Sequence, residues 1–368
     1  MRVLFASTQG AGHYNPLIPF VEAARRHGHE VLVVVPPALA DTVEAAGYEA
    51  RIGADPPEAE LGAVWGRVQE ASPDEANRLV IGDIFARLDT QTMLPTLRDA
   101  CRDWNPDVVL REPSEFASAV AADELGVAQA RITVGLADTE ALALGIAEPV
   151  LEGLRPGVTA RISASAFLTL LPEDVDPGRF QRTLRFSEPA RTGEPLPGWW
   201  GDDGRPLVYV SFGSVAGGLP LAAAAYRAAL DAVAELPVRV LLTIGRRADP
   251  SLLGTLPHNV HVEAWVPQRD VLAHATAVVG HGGYGTTLGT LAAGLPSVLV
   301  PLFADQPFNA RRVEEVGAGL SVPAEADAIR SALEKVLADT SFRNAAAGIA
   351  AEMRGLPPVD EAFEFVAG

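Results

Sequence analysis

Three short segments carry the residue types that could do chemistry: Trp265-Val266-Pro267-Gln268, His281-Gly282-Gly283-Tyr284-Gly285-Thr286-Thr287 and Pro301-Leu302-Phe303-Ala304-Asp305-Gln306. Each follows an apolar run that reads as a strand, so all three fall at strand ends, where an open α/β sheet collects its ligand. An indole face suits a planar base, with Val266 and Gln268 beside it. A Gly-rich turn opening a helix offers backbone N–H groups to phosphate, and the hydroxyls of Thr286 and Thr287 add donors. Asp305 and Gln306 suit sugar hydroxyls. Each also has a structural alternative, namely a core tryptophan, an ordinary Gly turn and a helix N-cap carboxylate. Ser211-Phe-Gly-Ser214, after the first strand of the second half, makes a second turn facing the same place.

Near the start, Gly10-Ala11-Gly12-His13 follows the first apolar strand. A dinucleotide fingerprint would need a third glycine where Asn15 stands and an acidic residue where Val35-Pro36-Pro37 stands, so a nicotinamide cofactor is disfavoured. What remains is a histidine on a Gly turn at the ligand edge of a sheet, a candidate general base. Such a base works best with a carboxylate that fixes its tautomer. Glu112, at the end of another strand, is the first choice and Glu115 the second, with pairing to Arg111 or capping of the next helix as the structural alternative.

The elements that must position these groups alternate strand and helix in both halves, which predicts parallel sheets covered on both faces. Strands are expected at 2–7, 30–35, 48–52, 107–111 and 127–134, then at 207–211, 238–244, 260–264, 277–280 and 297–300. Helices are expected at 15–27, 38–46 and 115–125, the last with Ser114 as N-cap, and at 326–338, 342–353 and 360–366. Residues 54–80 read as loop with short helices. The Gly/Pro-rich stretch 192–206 reads as a linker between domains 1–191 and 207–355, and the segment 356–368 as a helix crossing back to the first domain.

Composition narrows the function. The 368 residues are 48% hydrophobic with a net charge of −18, and no apolar run reaches the ~20 residues of a membrane helix. The charge argues against nucleic acid or an anionic membrane as partner, since both demand clustered cation. One cysteine, Cys101, excludes an intramolecular disulfide and a Cys-rich metal site. An N-terminus passing straight from Met1 into a strand predicts a cytoplasmic protein.

Trp-x-Pro-Gln, His-x-Gly and Asp-Gln-x-x-Asn-Ala, together with Gly-x-Gly-His near the start, resemble the signature of the family 1 glycosyltransferases of GT-B fold. The resemblance implies two Rossmann-like, doubly wound domains facing across a cleft. It implies inverting transfer from a nucleotide-diphosphate sugar to a small-molecule acceptor, with no metal and no cofactor beyond that donor. Carried across, His13 matches the base and Glu112 its acidic partner, one methylene longer than the family's aspartate. Trp265 matches the base-stacking residue and Gln268 a base or ribose contact. His281 with the turn through Gly283 and Gly285 to Thr287 matches the diphosphate site, Ser214 a phosphate contact, and Asp305 with Gln306 the sugar-hydroxyl pair.

Where plant members carry Trp-Asn and then a ribose-binding Glu, this chain has Tyr284-Gly285 and Gly289. That version looks like the actinobacterial enzymes that decorate natural products, often from dTDP-sugars. The expected reaction is transfer of a deoxysugar from a dTDP-sugar to a hydroxyl of a small hydrophobic acceptor. Trp65, Phe85 and Phe116 are candidates for the acceptor pocket. A nucleotide-sugar epimerase, or a silent helper protein on the same fold, is the alternative.

Overall fold

Parallel strand pairing organises the computed structural model, which describes all residues except 179, 190–192, 198–202, 214–219, 247–248 and 367–368. Two compact units result, the first formed by 1–170, 176–188 and 356–368, the second by 171–175 and 189–355. This division places the described residues of 192–206, expected as a linker, in the second unit.

In the first unit the strands are β1 (Arg2–Ala6), β2 (Glu30–Val35), β3 (Glu49–Ile52), β4 (Val108–Arg111), β5 (Ala128–Ile132), β6 (Ala166–Thr169) and β7 (Thr183–Arg185). They form one parallel sheet in the order β3-β2-β1-β4-β5-β6-β7. Its central strands read as unbroken apolar runs because helices cover both faces, and Val3, Leu4, Phe5 and Val109 have no exposed surface. Met93 and Leu97 from one helix and Phe116 and Val120 from another fill the core against β1 and β4.

The tail returns to this unit. Ser187 N–H donates to Pro357 O at 2.7 Å and Val359 N–H to Ser187 O at 3.0 Å. Asp360 accepts from the Arg26 guanidinium, and Val359, Ala362, Phe363 and Val366 are buried.

The second unit holds β8 (Leu207–Ser211), β9 (Arg239–Thr243), β10 (Val260–Glu263), β11 (Ala277–Gly280), β12 (Ser297–Leu299) and β13 (Gly319–Ser321). These also pair in parallel, in the order β10-β9-β8-β11-β12-β13. No helix among the described residues is long and apolar enough to cross a membrane.

Two expectations are corrected. Residues 54–80 contain a thirteen-residue helix, Glu58–Glu70, of which only Val64 is buried. A helix that packs through so narrow a stripe leaves little apolar periodicity to read. The helix after β4 is capped by Glu115, whose side chain accepts from Ser118 N–H at 3.0 Å, and Ser114 lies outside it. The strands β6, β7 and β13 are too short and too mixed in composition to stand out in the sequence.

The tail's burial generates a prediction. Phe363→Ala should lower stability by about 3 kcal/mol, the usual scale for emptying a buried aromatic site. Denaturant unfolding measures it, and a loss below about 1 kcal/mol would show that the tail contributes little to the first unit.

Candidate functional site

In each sheet the strand order reverses direction once, between β1 and β4 in the first unit and between β8 and β11 in the second. Loops leaving the carboxyl ends of such a strand pair diverge to opposite faces and open a crevice. His13 and Glu112 follow that strand pair in the first unit, and the Ser211–Gly213 turn and His281 follow it in the second.

In the first unit Ala6 pairs with Arg111, so the residues that follow on β1 and β4 are neighbours. Glu112 N–H donates to Ala6 O at 3.2 Å. Its carboxylate accepts from Thr8 N–H (3.1 Å), Thr8 Oγ1 (2.8 Å) and Ser114 N–H (2.7 Å). Oε2 also stands 3.1 Å from His13 Nδ1. Gly10, at φ 106°, turns the chain into the short helix Ala11–Tyr14 that carries His13. Its ring is about a quarter exposed while Glu112 is fully buried.

Arg111, also fully buried, points its Nη1 at the carbonyls of Glu112, Pro113 and Glu115. The loop is therefore curled around a guanidinium, which serves its backbone and leaves the Glu112 carboxylate to face His13. Glu115, the second-choice partner, caps its own helix.

Burial alone would raise the Glu112 pKa, but the charge of His13, its hydrogen bond and the donors of Ser114 and Thr8 outweigh that and hold it below the usual carboxylate range. Glu115 goes the other way. Burial dominates over its bond from Ser118 and the charge of Arg111, and pushes it up to about 7.

A pocket beside the pair is lined by Thr8, Phe85, Asp89, Met93, Glu115 and Phe116, among others. Phe85 meets the His13 ring edge-on at 5.3 Å. Phe85 and Phe116 thus reach the pocket, whereas Trp65 lies on the exposed helix Glu58–Glu70 and does not line it. Asp89 was not anticipated. It is nine-tenths buried, and its Oδ2 accepts no hydrogen bond among the described residues. Burial, then the charges of Glu112 and Glu115, push its carboxyl up to about 7, with His13 pulling the opposite way. It ends the π-helical segment Val80–Asp89, a geometry whose widened turns recur at functional sites.

In the second unit Gly280 pairs with Ser211, which brings His281 beside the Ser211–Gly213 turn. A Cβ on Gly213 would lie 2.8 Å from His281 Nε2, and one on Gly283 would lie 2.3 Å from it. Both glycines are therefore what lets the ring sit at the turn. Burial lowers the His281 pKa to about 4, against an opposing bond to the Ser211 backbone. The imidazole is neutral at neutral pH and can offer a hydrogen bond to a phosphate, not a charge.

Gly283 caps the helix Tyr284–Ala292 without a side-chain bond, so its first N–H groups are open to an anion. Gly285 is exposed and Thr286 half-buried, whereas the Thr287 hydroxyl is buried. Trp265 is half exposed, with the Arg246 guanidinium 4.1 Å from its ring centroid, so it is not a core tryptophan. Val266 is partly buried and packs against the cluster that holds Leu207, Tyr209 and Leu272. The Gln268 carboxamide lies over Gly289, whose Cβ would be 3.3 Å from Gln268 Oε1.

Asp305 follows Ala304, which adopts φ 56°, and its Oδ2 accepts from Asn309 Nδ2 at 2.7 Å. Gln306 turns inward, and its Oε1 accepts from Leu302 and Phe303 N–H at 2.8 and 3.1 Å. That oxygen closes its own loop, which leaves Asp305 as the more open of the pair. Ser214 lies outside the described residues.

Family models for the N- and C-terminal domains of erythromycin biosynthesis protein CIII-like proteins match residues 22–150 and 227–366. The L-demethylnoviosyl transferase of Streptomyces niveus is 32% identical over 97% of this chain and 100% of its own length. The chain belongs to the erythromycin biosynthesis protein CIII-like family of glycosyltransferases. The glycosyltransferase SnogD from Streptomyces nogalater matches it with a TM-score of 0.77 at 27% identity, over 100% of this chain and 99% of that one. The Streptomyces sp. SF2575 glycosyltransferase SsfS6, complexed with thymidine diphosphate, matches with a TM-score of 0.78 at 25% identity, over 100% and 99%. The transferase is thus a GT-B enzyme, inverting and metal-independent as family 1 members are.

The transferase has two features at its first site that sequence reasoning missed, Asp89 and the Arg111-centred loop. Asp89 lies past the stretch read as loop, in a π-helical segment to which the sequence reading assigned no element. Arg111 was visible only as a charge next to Glu112, which suggested an ion pair in place of a backbone scaffold.

The raised pKa of Asp89 sets a stability test. A carboxyl that titrates near 3.8 in the unfolded chain and near 7 in the fold holds its proton more tightly when folded. Its contribution therefore falls as pH rises from about 4 to about 7 and stays low above that. Asp89→Asn removes this slope, so its melting temperature should exceed the parent's, by more at about pH 8 than at about pH 5. Melting curves at several pH values check it, and a variant that melts lower at about pH 8 would contradict the assigned burial cost.

Proposed function

We propose that this glycosyltransferase moves a sugar from a dTDP-sugar to a hydroxyl of a small hydrophobic acceptor, with His13 as general base. The observation that carries the reading is the His13–Glu112 pair beside a pocket walled in part by Phe85, Met93 and Phe116. A fully buried carboxylate held ionised favours the imidazolium that forms as His13 takes the acceptor proton. The acceptor oxygen attacks the anomeric carbon and the bond to the diphosphate breaks. Charge growing on the diphosphate is met by the N–H groups opening the helix Tyr284–Ala292 and by neutral His281. Trp265 carries the base, displacing Arg246 from its face, and Asp305 accepts from sugar hydroxyls.

The thymidine preference rests on Gly289 and Gln268. A neutral carboxamide fills the space over a residue that has no side chain, where the plant members hold ribose with a carboxylate. A charged acceptor that hydrogen-bonds a hydroxyl contributes about 1.5 to 3 kcal/mol, and a deoxyribose has no 2′-hydroxyl to lose it. The thymidine diphosphate seen bound to SsfS6 supports the same base.

Two tests follow. His13→Ala should lower turnover with an alcohol or phenol acceptor about 10²-fold or more while leaving thymidine diphosphate binding intact. Glu112→Gln should lower it less, and it should also melt lower, because every ligand of Glu112 is a donor and an amide nitrogen must face one of them. Unchanged initial rates for His13→Ala would reject the base assignment.

For the donor, competition titration should find thymidine diphosphate bound about tenfold more tightly than uridine diphosphate, equivalent to ~1.4 kcal/mol. Equal or reversed affinity at fixed ionic strength would end the thymidine assignment and leave the transferase itself standing.

A further inference from the structure

The pocket beside His13 combines two chemistries. Phe85, Met93 and Phe116 make it apolar, and Asp55, Asp89 and Glu115 make it acidic, while no Lys or Arg is among the residues lining it. Asp55 is on the loop after β3, Asp89 on the π-helical segment and Glu115 on the loop after β4, so three separate elements bring carboxylates to one cavity.

Their states differ. Glu115 is engaged as a helix cap through Oε2. Asp89 is nine-tenths buried with an oxygen that accepts no hydrogen bond among the described residues. A buried carboxyl with no hydrogen-bonding partner is costly and calls for a reason, and Asp89 also lines the pocket that a ligand would enter.

We infer that Asp89 is a specificity residue of the acceptor pocket, selecting acceptors that carry an ammonium group as well as their hydroxyl and rejecting those that carry a carboxylate. The inference rests on the reading of this pocket as the acceptor site.

The charge balance supports it. The groups facing Asp89 are Glu112 and Glu115 from the β4 loop, Asp55 from the β3 loop and His13. His13 is engaged with Glu112, and the buried Arg111 guanidinium acts on Glu115 from behind the loop, which leaves Asp89 and Asp55 as the lining carboxyls that no further cation faces among the described residues. A cation entering it gains attraction and restores full ionisation of a carboxyl that burial has pushed up to about 7. An anion would stand among three carboxylates with no cation lining the cavity, and such like-charge contact is a strong device for excluding a ligand. The apolar walls bind the rest of the molecule without regard to charge.

Three phenols of one shape test this with the full chain: 7-hydroxy-4-methylcoumarin, 4-(aminomethyl)-7-hydroxycoumarin and 7-hydroxycoumarin-4-acetate. Fluorescence titration at neutral pH and fixed ionic strength gives each Kd for the parent and for Asp89→Asn. The amine should bind the parent at least about tenfold more tightly than the acetate, with the neutral compound between, a difference of ~1.4 kcal/mol. In Asp89→Asn the spread should shrink to about threefold or less, with thymidine diphosphate affinity and melting showing that the variant is folded.

Equal binding of all three, an unchanged spread in Asp89→Asn, tightest binding of the neutral compound, or no binding of any would each overturn the inference. Glycosylated product from the neutral coumarin without the charge order would sink the inference alone. The charge order with no product from any of the three phenols would uphold the charge selection by Asp89 and count against the reading of this pocket as the acceptor site.

Discussion

Glu112 is a carboxylate with no exposed surface, and the first unit is arranged so that it can stay ionised there. An unpaired charge in such a place would neutralise itself or be expelled. Four contacts prevent this: Thr8 twice, Ser114 once and His13. Each depends on backbone position, because Thr8 leaves β1 beside the end of β4 and Ser114 N–H is aimed by a loop wound on Arg111. The parallel pairing of Ala6 with Arg111 is thus the constraint from which the site follows. A shift of one residue in that register would turn Glu112 to the other face of the sheet.

The second unit repeats the constraint with different side chains. Gly280 pairs with Ser211 as Arg111 pairs with Ala6, and the groups that follow meet at the same topological position. Here the crevice is opened by removing side chains. Gly213 and Gly283 have none, and the His281 ring occupies the room they leave. Burial then keeps that ring neutral, which gives a phosphate site built from N–H dipoles within a protein of net charge −18. Oriented donors of this kind work against an unfavourable global charge because they act at contact distance, where screening is weakest.

Asp89, Glu115 and Glu140 share a second theme. All three are carboxyls that burial pushes up, to about 7 for the first two and about 8 for Glu140, and all belong to the first unit. Glu140 is bound by Thr133 and Val134 and Glu115 by Ser118, so each shapes a loop at the end of a strand. Asp89 shapes nothing comparable. Uncompensated burial of this kind lowers stability at neutral pH, and such local losses concentrate where ligands bind.

The sequence alone determined the alternation of strands and helices, the places where Gly turns end strands, and hence the identity of His13, Trp265, His281 and Asp305 as candidates. Those signals are local: an apolar run, a glycine after it, a functional side chain next to that. It also determined the family, through motifs whose spacing reflects those same turns.

Only the tertiary structure decided which carboxylate meets His13, since Glu112 and Glu115 differ in role through the curl that Arg111 imposes. It alone turned Gln306 inward, laid Gln268 over Gly289 and brought Asp89 to the pocket at the end of a π-helical segment whose widened turns depart from the ordinary helical period. Gln306 and Gln268 were settled by how a loop and two neighbouring helices close, and the Glu112 contacts by the register of strands far apart in the chain. No local pattern encodes the contacts of Glu112 with Thr8 and His13, whose partners lie about a hundred residues away.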